Sequence, residues 1–307
     1  MTTKILCLGF GFCANGLWHY WRDQNRLKAY SIAASHRDPD KKKLLLAKNI
    51  APFSFTNGDL NDALAHSDAW LISASPAAAG DPLWQDYAPA INRHASDKKI
   101  IYLSTTGVYG NHDGAWVDET SPLQPNHERS KKRIMAEQQW QAKGATLLRL
   151  GGIYGPRLDG MGQNTLQSII DGKARRIEKS GQVFGRIHVM DIAVAIDQLL
   201  QQHNRTVKGA VFNLVDDEPA NPRLVVEYGY QLLRRPLPPL EDFALVAPTL
   251  SPMARSFFDD NKRVRNDKIK NQLGWQPRYP SYREGLAAIH AAMQKDMNII
   301  DDQQEKT

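Results

Sequence analysis

Gly9, Gly11 and Ala14 are spaced as G-x-G-x-x-A within Gly9-Phe10-Gly11-Phe12-Cys13-Ala14, directly after an apolar run and at the opening of a helical stretch. A diphosphate needs that order. The first glycine permits a tight turn, the second lets the backbone approach the phosphates, and a small third residue lets helix and strand pack closely. The helix N-terminus then offers unpaired amides and partial positive charge. The pattern is short and recurs by chance, so its position after a first strand gives it its weight. It points to a dinucleotide. The next strand runs into Ser35-His36-Arg37, with no acid before Asp38. An NAD site places a carboxylate earlier, for the ribose hydroxyl. Arg37 instead carries a planar fork matched to a 2′-phosphate, and Ser35 adds a hydroxyl. NADP is expected over NAD.

Those residues need a frame. Residues 4–8, 31–34, 51–55, 69–73, 99–104 and 145–150 read as short apolar strands, with helical stretches between most of them. This alternation marks a parallel sheet covered by helices. After residue 150 the rhythm changes. A loop with Gly151, Gly152, Gly155 and Pro156 precedes a helix over 163–171, a short strand over 186–189, a helix over 191–202 and a strand over 211–215. Asn221 caps a helix that has Pro222 at its first position and runs to residue 234. The rest reads as irregular until a helix over 281–295, and the tail past 298 reads as mobile.

Composition narrows the classes. The chain has 307 residues, 42% hydrophobic and 23% charged, which supports a sizeable core and argues against disorder. No apolar run reaches the roughly 18 residues of a membrane span. The opening residues 1–16 read as a buried strand rather than a signal peptide, because glycines break their apolar run. Cys7 and Cys13 are too few for a disulfide framework or a four-ligand zinc site. No metal is therefore expected, and a reducing cytoplasm is the expected location. The 39 basic and 33 acidic residues leave a net charge of +6. Basic residues fall in short clusters with acids interspersed, which lacks the stripe of a nucleic-acid binder and favours a small anionic ligand.

Later motifs then follow in sequence: Ser104-Thr105-Thr106-Gly107-Val108-Tyr109-Gly110 at a strand end, Asp118-Glu119, Ala136-Glu137, and Arg149 with Ile153-Tyr154-Gly155-Pro156. Ile187-His188-Val189-Met190-Asp191 and Phe212-Asn213-Leu214-Val215-Asp216 come after them. Together with the glycine loop they resemble the extended short-chain dehydrogenase/reductases, relatives of the nucleotide-sugar epimerases and dehydratases. The resemblance runs over nearly the whole chain. It implies an α/β fold, with a doubly wound parallel Rossmann sheet over 1–155 to which 187–217 return. It also implies a smaller C-terminal substrate lobe from 156–186 and 218–297.

In that family a strand-end Ser or Thr and a Tyr-x-x-x-Lys pair carry the proton chemistry. Thr105 takes the hydroxyl role here. No tyrosine occurs between Tyr109 and Tyr154, so the chain resembles atypical members that lack the pair. If Ala136-Glu137 sets the register, Arg129 and Arg133 occupy the two places. If Ser130-Lys131 sets it, His127 and Lys131 do. Each pair has i, i+4 spacing, but the two faces nearly oppose, so only one can look at the cofactor. Arg129 and Arg133 are favoured, because Arg133, Ala136 and Trp140 continue one face. An arginine stays protonated and cannot replace a phenol. It can bind a carboxylate or phosphate, or hold an oxyanion.

His36, Ala74, Ser75, Pro76, Ser104, Gly152, Ile153 and Tyr154 are also expected to line the cofactor. Tyr109, Arg157, Arg186 and His188 are expected to face the substrate, and alternation puts Arg186 and His188 on one side of their strand. The resemblance and this cationic set imply an NADP-dependent oxidoreductase for a small anionic substrate. An NADP(H)-binding sensor and an epimerase or dehydratase are the other readings.

Overall fold

The computed structural model describes residues 2–304 apart from 38, 56–59, 78–79 and 203–206, with side chains as far as 295. Strands β1 (Thr3–Leu8), β2 (Tyr30–His36), β3 (Ala51–Ser54), β4 (Ala69–Ile72) and β5 (Lys99–Thr105) alternate with helices α1 (Phe12–Asp23), α2 (Pro39–Ala47), α3 (Leu60–His66) and α4 (Pro82–His94). Next come β6 (Trp116–Val117), α5 (Glu128–Gln141), β7 (Thr146–Leu150), β8 (Gly152–Tyr154), α6 (Thr165–Ile170) and β9 (Ile177–Glu178). They are followed by β10 (Arg186–His188), α7 (Val189–Gln201), β11 (Val211–Leu214) and α8 (Pro222–Leu232). The chain ends with β12 (Glu241–Asp242), α9 (Phe243–Val246), α10 (Pro252–Asp259), β13 (Arg263–Val264), α11 (Asp267–Leu273) and α12 (Tyr282–Gln304).

Seven strands pair in the order β11-β7-β5-β4-β1-β2-β3, all parallel. The chain winds outward from β1 through β2 to β3, then returns to β4 on the other side and continues to β11. That reversal makes the sheet doubly wound and puts its switch point at the carboxyl ends of β1 and β4, the place where such sheets bind ligands. Every residue of β4 and β7 is buried, as helix-covered parallel strands must be. One face packs α1 and α7 through Leu17, Trp21, Ile192 and Ile196. The other packs α3, α4 and α5 through Leu64, Leu83, Ile91 and Trp140.

A separate small core joins Leu166, Val225, Tyr282 and Leu286 from α6, α8 and α12. Asn221 caps α8 as expected, its side chain accepting from the Arg223 amide, with Pro222 at the first position. Two expectations need correction. The stretch 236–280 is not irregular: it contains β12, α9, α10, β13 and α11. The loop expected after residue 150 contains β8, whose partner is β10. Helix α12 continues past 298, as far as Gln304.

Candidate functional site

The glycine loop is held open from both sides of the sheet. Gly9 has φ +96°, and a Cβ there would come within 2.9 Å of the Ser73 hydroxyl, so only glycine fits. Its amide donates to Ser35 Oγ at 2.8 Å, and its carbonyl accepts from Ser73 Oγ at 2.8 Å. Gly11 is the N-cap of α1, no side chain caps that end, and the first turn has no acid. The leading amides of α1 thus lack a side-chain acceptor beside an open turn, which fits the phosphates of a dinucleotide. Phe10, Cys13 and Ala14 are buried and support the loop from beneath. Burial pushes the thiols of Cys7 and Cys13 up to about 12, so neither is a nucleophile.

At the end of β2, Ser35 is buried against Gly9 and His36 is half-buried. Arg37 is exposed, with its guanidinium 5.0 Å over the Phe55 ring. Asp38 lies outside the described residues. After β4, Ala74 and Pro76 are half-buried and Ser75 is exposed.

The strand ends of β5 and β7 divide into an outward and an inward set. Thr105 is half-buried and its Oγ1 accepts from the Gly107 amide at 3.1 Å, which leaves its proton free to donate. Arg133 donates to Tyr102 Oη at 2.9 Å, to the Leu103 carbonyl at 3.3 Å and to Ser75 Oγ at 3.2 Å. It therefore lies across the carboxyl ends of β4 and β5. Lys131 is ion-paired with Glu128 at the exposed side of α5. His127 sits at the α5 N-terminus, 3.6 Å from Asp259. Arg129 reaches the other lobe, donating to Ser256 Oγ at 2.7 Å from above the Phe257 ring.

The inward set includes two expected site residues. Ser104 donates to Glu137, Glu137 pairs with Arg149 through both carboxylate oxygens, and Arg149 donates to Tyr109 Oη at 3.0 Å. Tyr109 in turn donates to Asn213 at 2.7 Å. Burial opposes the charge on Arg149, but Glu137 more than offsets it and holds the guanidinium above its ordinary pKa. Tyr109 is 0% exposed, so it cannot face a substrate as expected. Ser104 is likewise buried in this chain, its hydroxyl committed to Glu137.

The expected cationic pocket in the second lobe is also corrected. Arg186 and His188 share one side of β10, as alternation predicts, but that side faces the interior. His188 is 2% exposed, accepts from the Met190 amide through Nδ1, and packs between Tyr154 and Tyr279. Burial, then Arg278, lowers its pKa to about 3, so it stays neutral. Arg186 donates to the carbonyls of Phe184 and Ala220. Tyr154 is buried with its hydroxyl on the Ser281 carbonyl. Gly152 is half-buried, while Ile153 and Arg157 are exposed, the latter donating to Gly160. Sequence reasoning missed Ser73, whose partner lies 64 positions away, and the Glu137–Arg149 pair as a structural unit. Local patterns carry no signal for either. Among the described residues no cluster could hold a metal ion, and no helix is long and apolar enough to cross a membrane.

Comparison with known proteins follows this geometry. Residues 87–214 match the family described as NAD dependent epimerase/dehydratase. A functionally unknown conserved protein from Silicibacter pomeroyi is 40% identical, with 95% of this chain and 99% of that chain covered and a TM-score of 0.84. The dTDP-glucose 4,6-dehydratase of Bacillus anthracis, in complex with NAD, is 19% identical over 96% of this chain and 97% of its own, with a TM-score of 0.74. The UDP-glucuronic acid 4-epimerase of Bacillus cereus, with UDP-glucuronic acid and NAD, is 17% identical over 95% and 99%, with a TM-score of 0.71. No curated protein matches. On its NAD(P)-binding Rossmann fold and its matched segment, the chain is an epimerase/dehydratase-like member of the extended short-chain dehydrogenase/reductases.

Proposed function

We propose that the protein is an NADP-dependent oxidoreductase acting on a small anionic substrate. The observation that carries this reading is the alignment of three features along one carboxyl edge: the uncapped α1 N-terminus, Arg37 past β2, and Thr105 beside Arg133 at β5. The family supports a nicotinamide dinucleotide, and its solved members named above carry NAD. Arg37 without a preceding acid supports the phosphorylated form.

The cofactor, when bound, supplies the hydride. The α1 amides and Gly11 would hold its diphosphate, and Arg37 with Ser35 its 2′-phosphate. Thr105 would donate its free proton as a hydrogen bond to the substrate's carbonyl oxygen. Arg133 is fixed by three acceptors and stays charged, so it would stabilise negative charge on that oxygen without giving up a proton. Arg129 would exchange its hydrogen bonds to Ser256 Oγ and the Met253 sulfur for a substrate carboxylate or phosphate. Among the described residues no titratable side chain at this edge replaces the family's phenol, so the product's proton would come from solvent. The same lack supports a second reading, an NADP(H)-binding regulatory protein without turnover.

The test is NADPH oxidation with a panel of small keto acids, aldehydes and quinones. Thr105→Val should lower kcat by about a hundredfold, the usual effect of losing one oxyanion donor. NADPH affinity should stay within about twofold, because Thr105 is assigned to the substrate. NADPH binding with no turnover across the panel would favour the regulatory reading.

A further inference from the structure

The loop between β8 and α6 is a folded unit in its own right. Its ends are tied together, the Gly155 amide donating to the Gln163 carbonyl at 3.3 Å and Asn164 Nδ2 to the Gly155 carbonyl at 2.9 Å. Inside it, Leu158 and Met161 exchange both backbone hydrogen bonds, at 2.8 and 2.9 Å. Asp159 and Gly160 form the tip with φ +50° and +76°, as a tight two-residue hairpin turn requires. Such a loop with joined ends can move as one body.

This loop lies on the glycine motif. Phe12, the first residue of α1, has its ring against Gly155 and Gly162, and a Cβ at Gly162 would come within 2.4 Å of that ring. Three of the contacts that pin the tip converge on one atom. Asp159 Oδ2 accepts from Asn15 at 3.0 Å, from His19 at 2.7 Å and from Lys48 Nζ at 2.8 Å. Asn15 also donates to the Leu158 carbonyl, and Lys41 donates to the Met161 sulfur. The Lys48 side chain is 6% exposed and lies over the Trp18 ring, while that of Asp159 is 32% exposed. The pin therefore sits at the edge of solvent, where one partner can be released. Burial works against the carboxylate, yet Lys48, His19 and Asn15 hold it well below the usual carboxylate range.

We propose that residues 155–164 form a gate over the dinucleotide's phosphates, latched shut by Asp159 on Asn15, His19 and Lys48 and opened by release of that carboxylate. The inference rests on the cofactor assignment above. With the latch closed, the loop clamps Phe12 and with it the helix start that would hold the diphosphate. With it open, the folded loop swings about Gly155 and Gly162 and leaves the phosphate edge accessible. Neither Asp159 nor Lys48 touches the assigned substrate groups, so the gate governs exchange of the dinucleotide and not the chemistry.

Stopped-flow fluorescence of NADPH binding to the intact protein tests this without any substrate. Asp159→Asn and, independently, Lys48→Met should each raise both the association and the dissociation rate about tenfold, the scale of a lost charged hydrogen bond. The dissociation constant should change less than about threefold, because a gate alters passage in both directions. Unchanged rates in both variants would overturn the gate while leaving the cofactor assignment intact. Faster release with unchanged association would also overturn it, since that is loosened packing. Failure of the unmutated protein to bind NADPH would overturn the cofactor assignment, and the gate with it.

Discussion

Glu137→Ala is expected to cost the protein about 3–5 kcal/mol of stability, the usual range for removing one partner of a buried ion pair. The loss does not come from the pair's own attraction, which desolvation largely offsets. It comes from what is left behind. Arg149 lies within β7, whose five residues are all buried, and it has no water to turn to. Glu137 receives three hydrogen bonds from it, and Ser104 adds a fourth from β5. Tyr109 and Asn213 complete the chain from β5's following turn to β11. One carboxylate thus ties α5 to the three strands β5, β7 and β11. Thermal unfolding should move down by on the order of 10 °C. Glu137→Gln, which keeps the acceptor and the shape, should lose less. A shift under about 2 °C for the alanine variant would mean that Arg149 finds another partner.

Arg37→Ala is expected to weaken NADPH binding by about tenfold or more while leaving NADH binding nearly unchanged, because one charged hydrogen-bond donor to the 2′-phosphate is removed. The guanidinium is placed beforehand by its position over Phe55, so little ordering is needed when the phosphate arrives. Ser35 is a weaker contributor, since its oxygen already accepts from Gly9 and only its proton remains. Calorimetric titration of the variant with both cofactors measures the change. Equal losses for NADPH and NADH would assign Arg37 to the adenine or the fold rather than to the phosphate.

The parts of this molecule legible in sequence are those whose physics is local. A strand, two glycines and a helix start occupy a dozen consecutive residues, and nothing distant is needed to see that the helix begins at the glycine turn. Most strands of the sheet are equally plain, because β1, β4, β5 and β7 are short, largely buried runs. Arg186 and His188 show where legibility ends. Alternation puts them on one side of their strand, but what that side packs against comes from Tyr279 and Ala220, far along the chain. Tyr109 follows a motif that looks exposed, yet its partners Arg149 and Asn213 come from strands 40 and 104 positions later. The short elements after residue 236 are of the same kind. β12 exists because β9 pairs with it and β13 because β6 does, and two-residue strands leave almost no pattern of their own. At α5, Arg133 meets Tyr102 and Ser75, whereas Lys131 pairs with Glu128, and these partners too come from other parts of the chain or from the helix surface.

The central claim is that the open α1 N-terminus and Arg37 form one NADP(H) site. Isothermal titration of the unmutated protein with NADPH and with NADH, at matched ionic strength, tests it most directly. The account predicts one site per chain, with NADPH bound at least about tenfold more tightly than NADH, the value of one charge-assisted contact. Equal affinities for the two, or binding of neither, would contradict it.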